Sequence, residues 1–195
     1  MNKAIFLDRD GVINEIVFHE DVEVLDSPFN TEQVEIINGV PEAISTFNRL
    51  GFKVLVVTNQ PSAAKGKINL ARIKKINQHI TESLFTSGAQ IDQVYCCPHH
   101  PIGTPKGDPD LITKCACRKP NPGMLRSGIE DFQIDINGSY MVGDSISDIQ
   151  AGQAIGLTSV LVGGLKCDAR RLFEEKGCIP DLIYQSLWDF AESLT

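Results

Sequence analysis

The sequence predicts an α/β fold built on a doubly wound, mainly parallel sheet, and three observations support this prediction. Short apolar runs alternate with segments of helical periodicity along the whole chain, which is the element order typical of that class. The apolar runs are nearly continuous, as expected for strands that are buried on both faces. Three of the runs end abruptly in polar side chains, and open α/β sheets bind ligands just beyond the carboxyl ends of their strands.

The elements can be assigned in chain order from periodicity and from turn chemistry. Residues 5–7 predict the first strand, and residues 12–38, which carry no clean period, are interpreted as a lid segment with a short hairpin. A helix from Pro41 that stops at Gly51 follows, then a strand at 52–57, a helix capped by Asn69 and a strand at 91–96. After the loop come a helix that begins at Pro122, a strand at 140–142, a helix that reaches Gly156 and a strand at 158–162. The last elements are a helix near 168–176, a short strand at 182–183 and a helix near 186–193. Residues 97–120 contain five prolines, so we expect an irregular loop there.

Composition indicates one globular domain over residues 1–195. Hydrophobic residues make up 42% of the chain and charged residues 22%, which argues against disorder. The formal net charge of −7 disfavours nucleic acid as a general partner. No apolar run approaches the roughly 20 residues that span a bilayer, and little chain precedes the first strand. We therefore expect no membrane span and no signal peptide, and a cytoplasmic monomer.

The carboxylates after the first strand predict a phosphoryl-transfer site. Asp8 and Asp10 are separated by one residue, so their side chains point to the same side of the extended chain. Two carboxylates on one side repel each other unless a cation lies between them or one of them holds a proton. Both arrangements suit phosphoryl transfer with a hard divalent metal such as Mg²⁺.

The order of the polar strand ends resembles the four motifs of the haloacid dehalogenase-like phosphohydrolases. In chain order these are Asp8-x-Asp10-Gly11, Thr58 at a strand end, Lys119, and Gly143-Asp144-x-x-x-Asp148. The resemblance implies a haloacid dehalogenase-like, Rossmann-like fold without a large cap domain. It further implies that Asp8 is the nucleophile, that Asp10 is the general acid and base, and that Thr58 and Lys119 stabilise the phosphoryl charge. The implied Mg²⁺ ligands are Asp8, the backbone carbonyl of Asp10 and Asp144, with Asp148 in support.

Four residues of the proline-rich loop predict a structural zinc site. Cys97 and His99 form one close pair, and Cys115 and Cys117 form another. Two such pairs suit tetrahedral Zn²⁺ with three cysteines and one histidine, and the ion would stabilise a loop that has little core of its own. The spacing leaves open whether Cys96 takes the place of Cys97. It assigns no role to Cys167 or Cys178.

A narrower resemblance concerns the substrate. The segments Thr58-Asn59-Gln60, Cys97-Pro98-His99-His100-Pro101 and Cys115-x-Cys117-Arg118-Lys119-Pro120 are similar to those of heptose bisphosphate phosphatases, which remove the 7-phosphate from D-glycero-D-manno-heptose 1,7-bisphosphate in a pathway to surface polysaccharide. The resemblance implies a small phosphorylated sugar as substrate, held by Asn59, Gln60 and Arg118. Lys65 stands where that family usually has arginine, which would lose bidentate phosphate geometry.

Three other functions share features of this sequence. Histidinol-phosphate phosphatases share the zinc loop, and an inactive zinc-stabilised binding module would share the fold. Polynucleotide 3′-phosphatase domains carry similar motifs, but the acidic balance and the lack of interleaved aromatic and basic residues argue against them. For Arg9 and Lys67 the sequence leaves open whether each reaches the site or is an ordinary solvated charge. His19 and His79 are expected at the surface.

Overall fold

The computed structural model describes residues 1–163, 173, 175 and 177–195. The predicted helix near 168–176 and Cys167 therefore lie outside the described residues, apart from two positions in that helix. The strands are β1 (Ala4–Leu7), β2 (Val17–His19), β3 (Val24–Asp26), β4 (Lys53–Asn59), β5 (Gln93–Cys97), β6 (Tyr140–Gly143), β7 (Thr158–Leu161) and β8 (Leu182–Ile183). The helices that the structure describes are α1 (Val40–Arg49), α2 (Leu70–Thr86), α3 (Gly123–Phe132), α4 (Ile146–Gln153) and α5 (Leu187–Glu192).

Six of these strands form one parallel sheet, which confirms the predicted fold class. The strand order is β5-β4-β1-β6-β7-β8, and every pair of neighbours is parallel. The chain runs outward from β1 through β4 to β5, and then returns to the opposite side of β1 to form β6. This reversal places a crevice at the carboxyl ends of β1 and β6, where doubly wound sheets bind their ligands.

Alternation along β1 divides the core between the two faces of the sheet. Ile5 and Leu7 belong to a cluster that includes residues of α1, α2 and α5. Ala4 and Phe6 belong to a second cluster, which includes residues of α3 and α4. All four side chains are fully buried, so β1 is packed on both faces. The position of the residues that directly follow β1 is therefore well defined.

The segment after β1 is partly core and partly protruding hairpin. Val12 and Ile13 are buried, and Ile37 donates its backbone N–H to Ile13. Between them β2 and β3 pair in antiparallel register, which confirms the predicted hairpin. The described residues contain this hairpin and no large cap domain.

The hairpin also corrects one surface assignment. His19 is only 4% exposed, because its ring stacks on Phe29 at a centroid distance of 3.7 Å and bonds the Ser27 carbonyl at 3.0 Å. The expectation that His19 lies at the surface is therefore wrong. The aromatic partner ten residues along the chain accounts for its burial.

The proline-rich segment is nearly irregular, as predicted, with one short 3₁₀ turn at Pro109–Leu111. Leu111 is 7% exposed and joins the core, so the segment is attached to the protein at its middle. Strand β5 runs one residue further than the sequence predicts and ends at Cys97. None of the helices within the described residues combines the length and the apolar character that a membrane crossing needs.

Candidate active site

A buried lysine lies between two carboxylates at the carboxyl end of the sheet. The Lys119 ammonium contacts Asp8 at 2.8 Å and Asp148 at 2.6 Å. It also donates to the Val57 carbonyl at 2.7 Å, and the residue as a whole is 3% exposed. Lys119 comes from the loop after β5, Asp8 from the end of β1 and Asp148 from α4, so the fold brings together three distant parts of the chain.

The crowding of like charges changes the ionisation of this cluster. Burial alone would lower the pKa of Lys119, but the carboxylates of Asp148 and Asp8 outweigh it and raise that pKa. Burial raises the pKa of Asp8 to about 7, although Lys119 opposes the change. The Asp144 side chain opens to solvent, yet desolvation by the surrounding protein and the nearby Asp148 charge raise its pKa to about 6. Two carboxyl groups that resist ionisation in the absence of a cation are suited to bind one.

The acidic residues fit the ligand preference of Mg²⁺. Carboxylate oxygens of Asp8, Asp144 and Asp148 all lie within 4.8 Å of one another. Gly11 has a φ of +80°, and a Cβ built on it would overlap the Asp144 carboxylate. A side chain at position 11 would therefore occupy the space of a candidate ligand, which explains why glycine follows Asp10 here.

Asp148 is held in place by the start of its own helix. It is the third residue of α4, and one of its oxygens accepts from the Ser145 backbone N–H at 3.1 Å and from the Ser145 hydroxyl at 2.6 Å. This capping box occupies one oxygen and leaves the other for Lys119. Asp148 is fully buried, so its contacts identify it as a partner of Lys119, whereas Asp8 and Asp144 face the crevice.

Asp10 is held by three side chains. Its two oxygens accept from the Arg9 guanidinium at 2.8 to 3.2 Å. The Asn14 amide donates to Oδ1 at 3.0 Å, and the Gln60 amide donates to Oδ2 at 2.5 Å. Gln60 also donates to the Thr58 hydroxyl at 2.9 Å, which joins Asp10 and Thr58 in one hydrogen-bond network.

The amide of Asn59 binds the backbone of Lys119. Its Oδ1 accepts from the Lys119 N–H at 3.0 Å, and its Nδ2 donates to the Lys119 carbonyl at 3.1 Å. Gln60 is 1% exposed, and its amide binds Asp10 and Thr58. In this structure both amides therefore position other site residues, and their predicted contact with substrate stays a prediction.

Of the two predicted phosphate-binding cations, Arg118 belongs to the proline-rich loop and Lys65 to a segment bonded to it. Arg118 is half-buried and donates one bond, of 3.2 Å, to the His99 carbonyl. The backbone carbonyl of Lys65 accepts from the Thr104 hydroxyl at 2.8 Å, which ties the two loops together. Burial lowers the pKa of His100, and the nearby charges of Arg118 and Lys65 lower it further. Both charges therefore act on His100, and neither cation takes part in an ion pair among the described residues.

The predicted zinc ligands converge on one point. The sulfur atoms of Cys97, Cys115 and Cys117 are 3.0 to 3.5 Å apart, and His99 Nδ1 lies 3.4 to 3.7 Å from two of them. These separations exceed the roughly 2.05 Å of a disulfide. They approach the edges of a tetrahedron around an ion about 2.3 Å from each sulfur. The cluster could therefore hold a metal ion.

The structure also resolves the choice between adjacent cysteines. Cys97 belongs to the cluster of candidate ligands. Cys96 lies on the opposite side of β5, where it bonds Asn77 on α2 and where burial raises its thiol pKa to about 11. Because successive side chains of a strand point to opposite faces, only Cys97 can join the cluster.

Sequence reasoning missed Asn14 as part of the site and left the role of Arg9 open. Arg9 is 1% exposed, so the interpretation of this residue as an ordinary solvated charge is excluded. The only sequence signal was its place between two acidic residues, which does not distinguish a buried ion pair from a surface one. Lys67 forms an ion pair with Asp26 of the hairpin and is absent from the carboxylate cluster.

Comparisons with known proteins place the chain among phosphatases. A family model described as HAD-hydrolase-like matches residues 116–190. The chain is 41% identical to D-glycero-beta-D-manno-heptose-1,7-bisphosphate 7-phosphatase of Escherichia coli K12 over 160 residues, which cover 82% of this chain and 78% of the relative. It is 36% identical to the protein of that name from Pasteurella multocida over 162 residues, with 83% and 82% covered. Among solved structures it is similar to a D,D-heptose 1,7-bisphosphate phosphatase from B. bronchiseptica complexed with magnesium and phosphate, with a TM-score of 0.76, 29% identity, and 98% and 97% of the two chains covered.

Proposed function

This chain belongs to the family of D-glycero-β-D-manno-heptose-1,7-bisphosphate 7-phosphatases, within the haloacid dehalogenase-like hydrolases, and we propose that it removes the 7-phosphate of that sugar bisphosphate through an aspartyl-phosphate on Asp8. The chain is accordingly a phosphatase. The observation that carries the assignment of residues is the buried Lys119 ammonium, 2.8 Å from Asp8. A buried cation beside a carboxylate at a crevice is suited to receive the charge of a phosphoryl group.

The first step is attack by Asp8 on the phosphorus. An Asp8 oxygen forms a bond to phosphorus while the bond from phosphorus to the sugar oxygen breaks. Lys119 faces the developing charge on the phosphoryl oxygens. The Thr58 hydroxyl accepts from Gln60 at 2.9 Å, so its own proton is available to one of those oxygens.

Asp10 is the general acid of the first step and the general base of the second. The leaving sugar oxygen takes a proton from Asp10 in the first step, and the attacking water returns one to Asp10 in the second. Its side chain is 17% exposed, so it can reach the substrate side of the crevice. The second step releases inorganic phosphate and restores the Asp8 carboxylate.

Magnesium and zinc have separate proposed sites. Asp8, Asp144 and the backbone carbonyl of Asp10 would hold Mg²⁺, which supplies positive charge beside the phosphoryl oxygens. Raised pKa values at Asp8 and Asp144 support this assignment, because a cation would favour their charged forms. The four-residue cluster in the loop would hold Zn²⁺, with Cys97, His99, Cys115 and Cys117 as ligands.

The second phosphate of the substrate would bind near the zinc loop. Arg118 is fixed by its bond to the His99 carbonyl, directly after a candidate zinc ligand, and Lys65 lies near the same histidine segment. A charge-assisted bond to a phosphate contributes roughly 1.5–3 kcal/mol. Arg118→Ala is therefore expected to lower kcat/KM about ten- to hundredfold for the bisphosphate, and much less for a matched heptose 7-phosphate. Equal losses on both substrates would contradict this role.

The experiment that tests the proposed chemistry is acid quenching during a single turnover, with enzyme in excess over substrate, in ¹⁸O-labelled water. One ¹⁸O atom in the released phosphate would show that water attacks phosphorus and not the sugar carbon, a result that direct hydrolysis shares with the covalent route. Protein phosphorylated at Asp8 in the quenched sample distinguishes the covalent route from direct attack by water. Asp8→Asn preserves the volume of the side chain and should abolish both the phosphoprotein and turnover. Turnover by pure Asp8→Asn protein at a substantial rate would show that another group is the nucleophile.

A further inference from the structure

The side chain of Arg9 is the largest of those that are fully buried in the described part of the chain, and the residue stands between the two motif aspartates in the sequence. Arg9 is 1% exposed. Its Nε and Nη2 atoms donate to the Asp10 carboxylate at 2.8 to 3.2 Å, and its Nη1 atom donates to Asn77 Oδ1 on α2 at 2.7 Å. One guanidinium therefore joins a carboxylate of the site to the middle of a helix 68 residues away in the chain.

These contacts restrict the Asp10 carboxylate to one orientation. The planar fork of arginine meets both oxygens of the carboxylate, which fixes its plane as well as its position. Asn14 and Gln60 each add one donor, to different oxygens. The carboxylate is nevertheless 17% exposed, so it is held from the protein side while it still faces the crevice.

A purely structural role does not account well for this choice of residue. A buried ion pair contributes little net stability, because the cost of desolvating both charges offsets their attraction. Packing between β1 and α2 could be achieved by an apolar side chain of similar volume. Lysine has a single ammonium and cannot bind Asp10 in a bidentate manner while it also reaches Asn77. Arginine is therefore required at this position if the direction of the Asp10 carboxylate matters.

We infer that Arg9 is a positioning residue for the phosphatase reaction. Through Asn77 it anchors Asp10 to helix α2, and it fixes the direction along which Asp10 gives its proton to the leaving-group oxygen. In that step the Asp8 oxygen bonds to phosphorus, the ester bond breaks, and the proton of Asp10 passes to the departing oxygen. The inference rests on the proposed role of Asp10 as general acid.

The leaving group provides a test that stability alone would not affect. An alkyl or sugar oxygen needs a proton as it departs, whereas 4-nitrophenolate departs without one. For Arg9→Lys we expect kcat/KM to fall about ten- to hundredfold on the sugar phosphate, but less than about threefold on 4-nitrophenyl phosphate. Asn77→Ala should show the same selectivity with a smaller loss, because it keeps Arg9 and removes its outer anchor, together with the contact between Asn77 and Cys96. Asp92→Asn breaks a remote ion pair with Lys53 and should change both rates by the same small factor.

The outcomes separate this inference from the proposed function. Asp10→Asn should show the same selectivity for poor leaving groups, with a larger loss. If Asp10→Asn lowers kcat/KM equally for both substrates, the general-acid role fails and the inference about Arg9 fails with it. If Asp10→Asn is selective while Arg9→Lys and Asn77→Ala lower kcat/KM equally for both substrates, only the inference about Arg9 is overturned. If Arg9→Lys does not fold, the selectivity of Asn77→Ala decides the question, since Asn77 is half-buried on the helix and touches no reacting group.

Discussion

Replacing Lys119 by methionine removes the cation that separates two carboxylates in the protein interior. The ammonium lies 2.8 Å from Asp8 and 2.6 Å from Asp148, and the Lys119 side chain is 2% exposed. Methionine has a similar length and an apolar end, so the packing changes little while the charge is lost. Removal of one partner from a buried ion pair typically costs 3–5 kcal/mol. We therefore expect Lys119→Met to lower the free energy of unfolding by about 4 kcal/mol at pH 8 in magnesium-free buffer.

The same reasoning predicts that the loss depends on pH. Lys119 opposes the rise in the pKa of Asp8, which is about 7 with the lysine present, so the loss of Lys119 raises that pKa further. A carboxyl group whose pKa is raised by folding destabilises the folded state as the pH rises from its unfolded to its folded pKa. The loss of stability should therefore be smaller at pH 5, where Asp8 holds a proton in both proteins, than at pH 8, which lies above the pKa of Asp8 in the wild type.

Urea unfolding at pH 5 and pH 8 measures this difference, and Lys53→Met provides the matched control. Lys53 forms an ion pair of the same 2.8 Å length with Asp92, but its side chain is 38% exposed, so its loss should cost no more than about 1 kcal/mol. The reasoning is refuted if Lys119→Met and Lys53→Met have equal effects, or if the loss for Lys119→Met is the same at both pH values.

Three further predictions concern the metal sites. Gly11→Ala should weaken Mg²⁺ binding, measured by titration calorimetry, because the new methyl group overlaps the Asp144 carboxylate. Gly51 has a φ of +83°, similar to that of Gly11, but a Cβ there meets open space. Gly51→Ala should therefore lower stability without changing the affinity for Mg²⁺. Elemental analysis should find roughly one zinc per chain in the wild type and much less in Cys115→Ser, whereas Cys96→Ser should retain zinc. Cys115→Ser should also lower the melting temperature more than it lowers kcat. Full zinc content in Cys115→Ser would exclude this site. The rise in melting temperature on addition of Mg²⁺ should be larger at pH 8 than at pH 6, because protons compete with the metal for the two carboxyl groups. The pKa of Asp8 is about 7 and that of Asp144 is about 6. An equal rise at both pH values would contradict that ligand set.

The sequence was sufficient for those parts of the fold that depend on local pattern. Apolar runs that end in polar residues located β1, β4 and β6, and the parallel order of the sheet followed from the alternation of strands and helices. Asp8 and Asp144 could be placed together because the carboxyl ends of parallel strands meet at one edge. Strand ends were less certain, and β5 runs to Cys97, one residue past its predicted end.

Contacts between distant elements could not be predicted from the sequence. Arg9 is buried because α2 packs over β1 and presents Asn77 to it, 68 residues away. Asn59 binds the backbone of Lys119, 60 residues away, although the family motif suggested contact with substrate. In both cases the side chain has several suitable partners in principle, and only the packing of helices on the sheet selects among them.

The most direct test of the proposed substrate is ³¹P NMR of D-glycero-D-manno-heptose 1,7-bisphosphate during incubation with the purified protein and Mg²⁺. We expect the signal of the 7-phosphate to disappear as the signal of inorganic phosphate grows, while the anomeric 1-phosphate signal persists. Histidinol phosphate should be hydrolysed far more slowly under the same conditions. Loss of the 1-phosphate first, or faster turnover of histidinol phosphate, would contradict the proposed substrate.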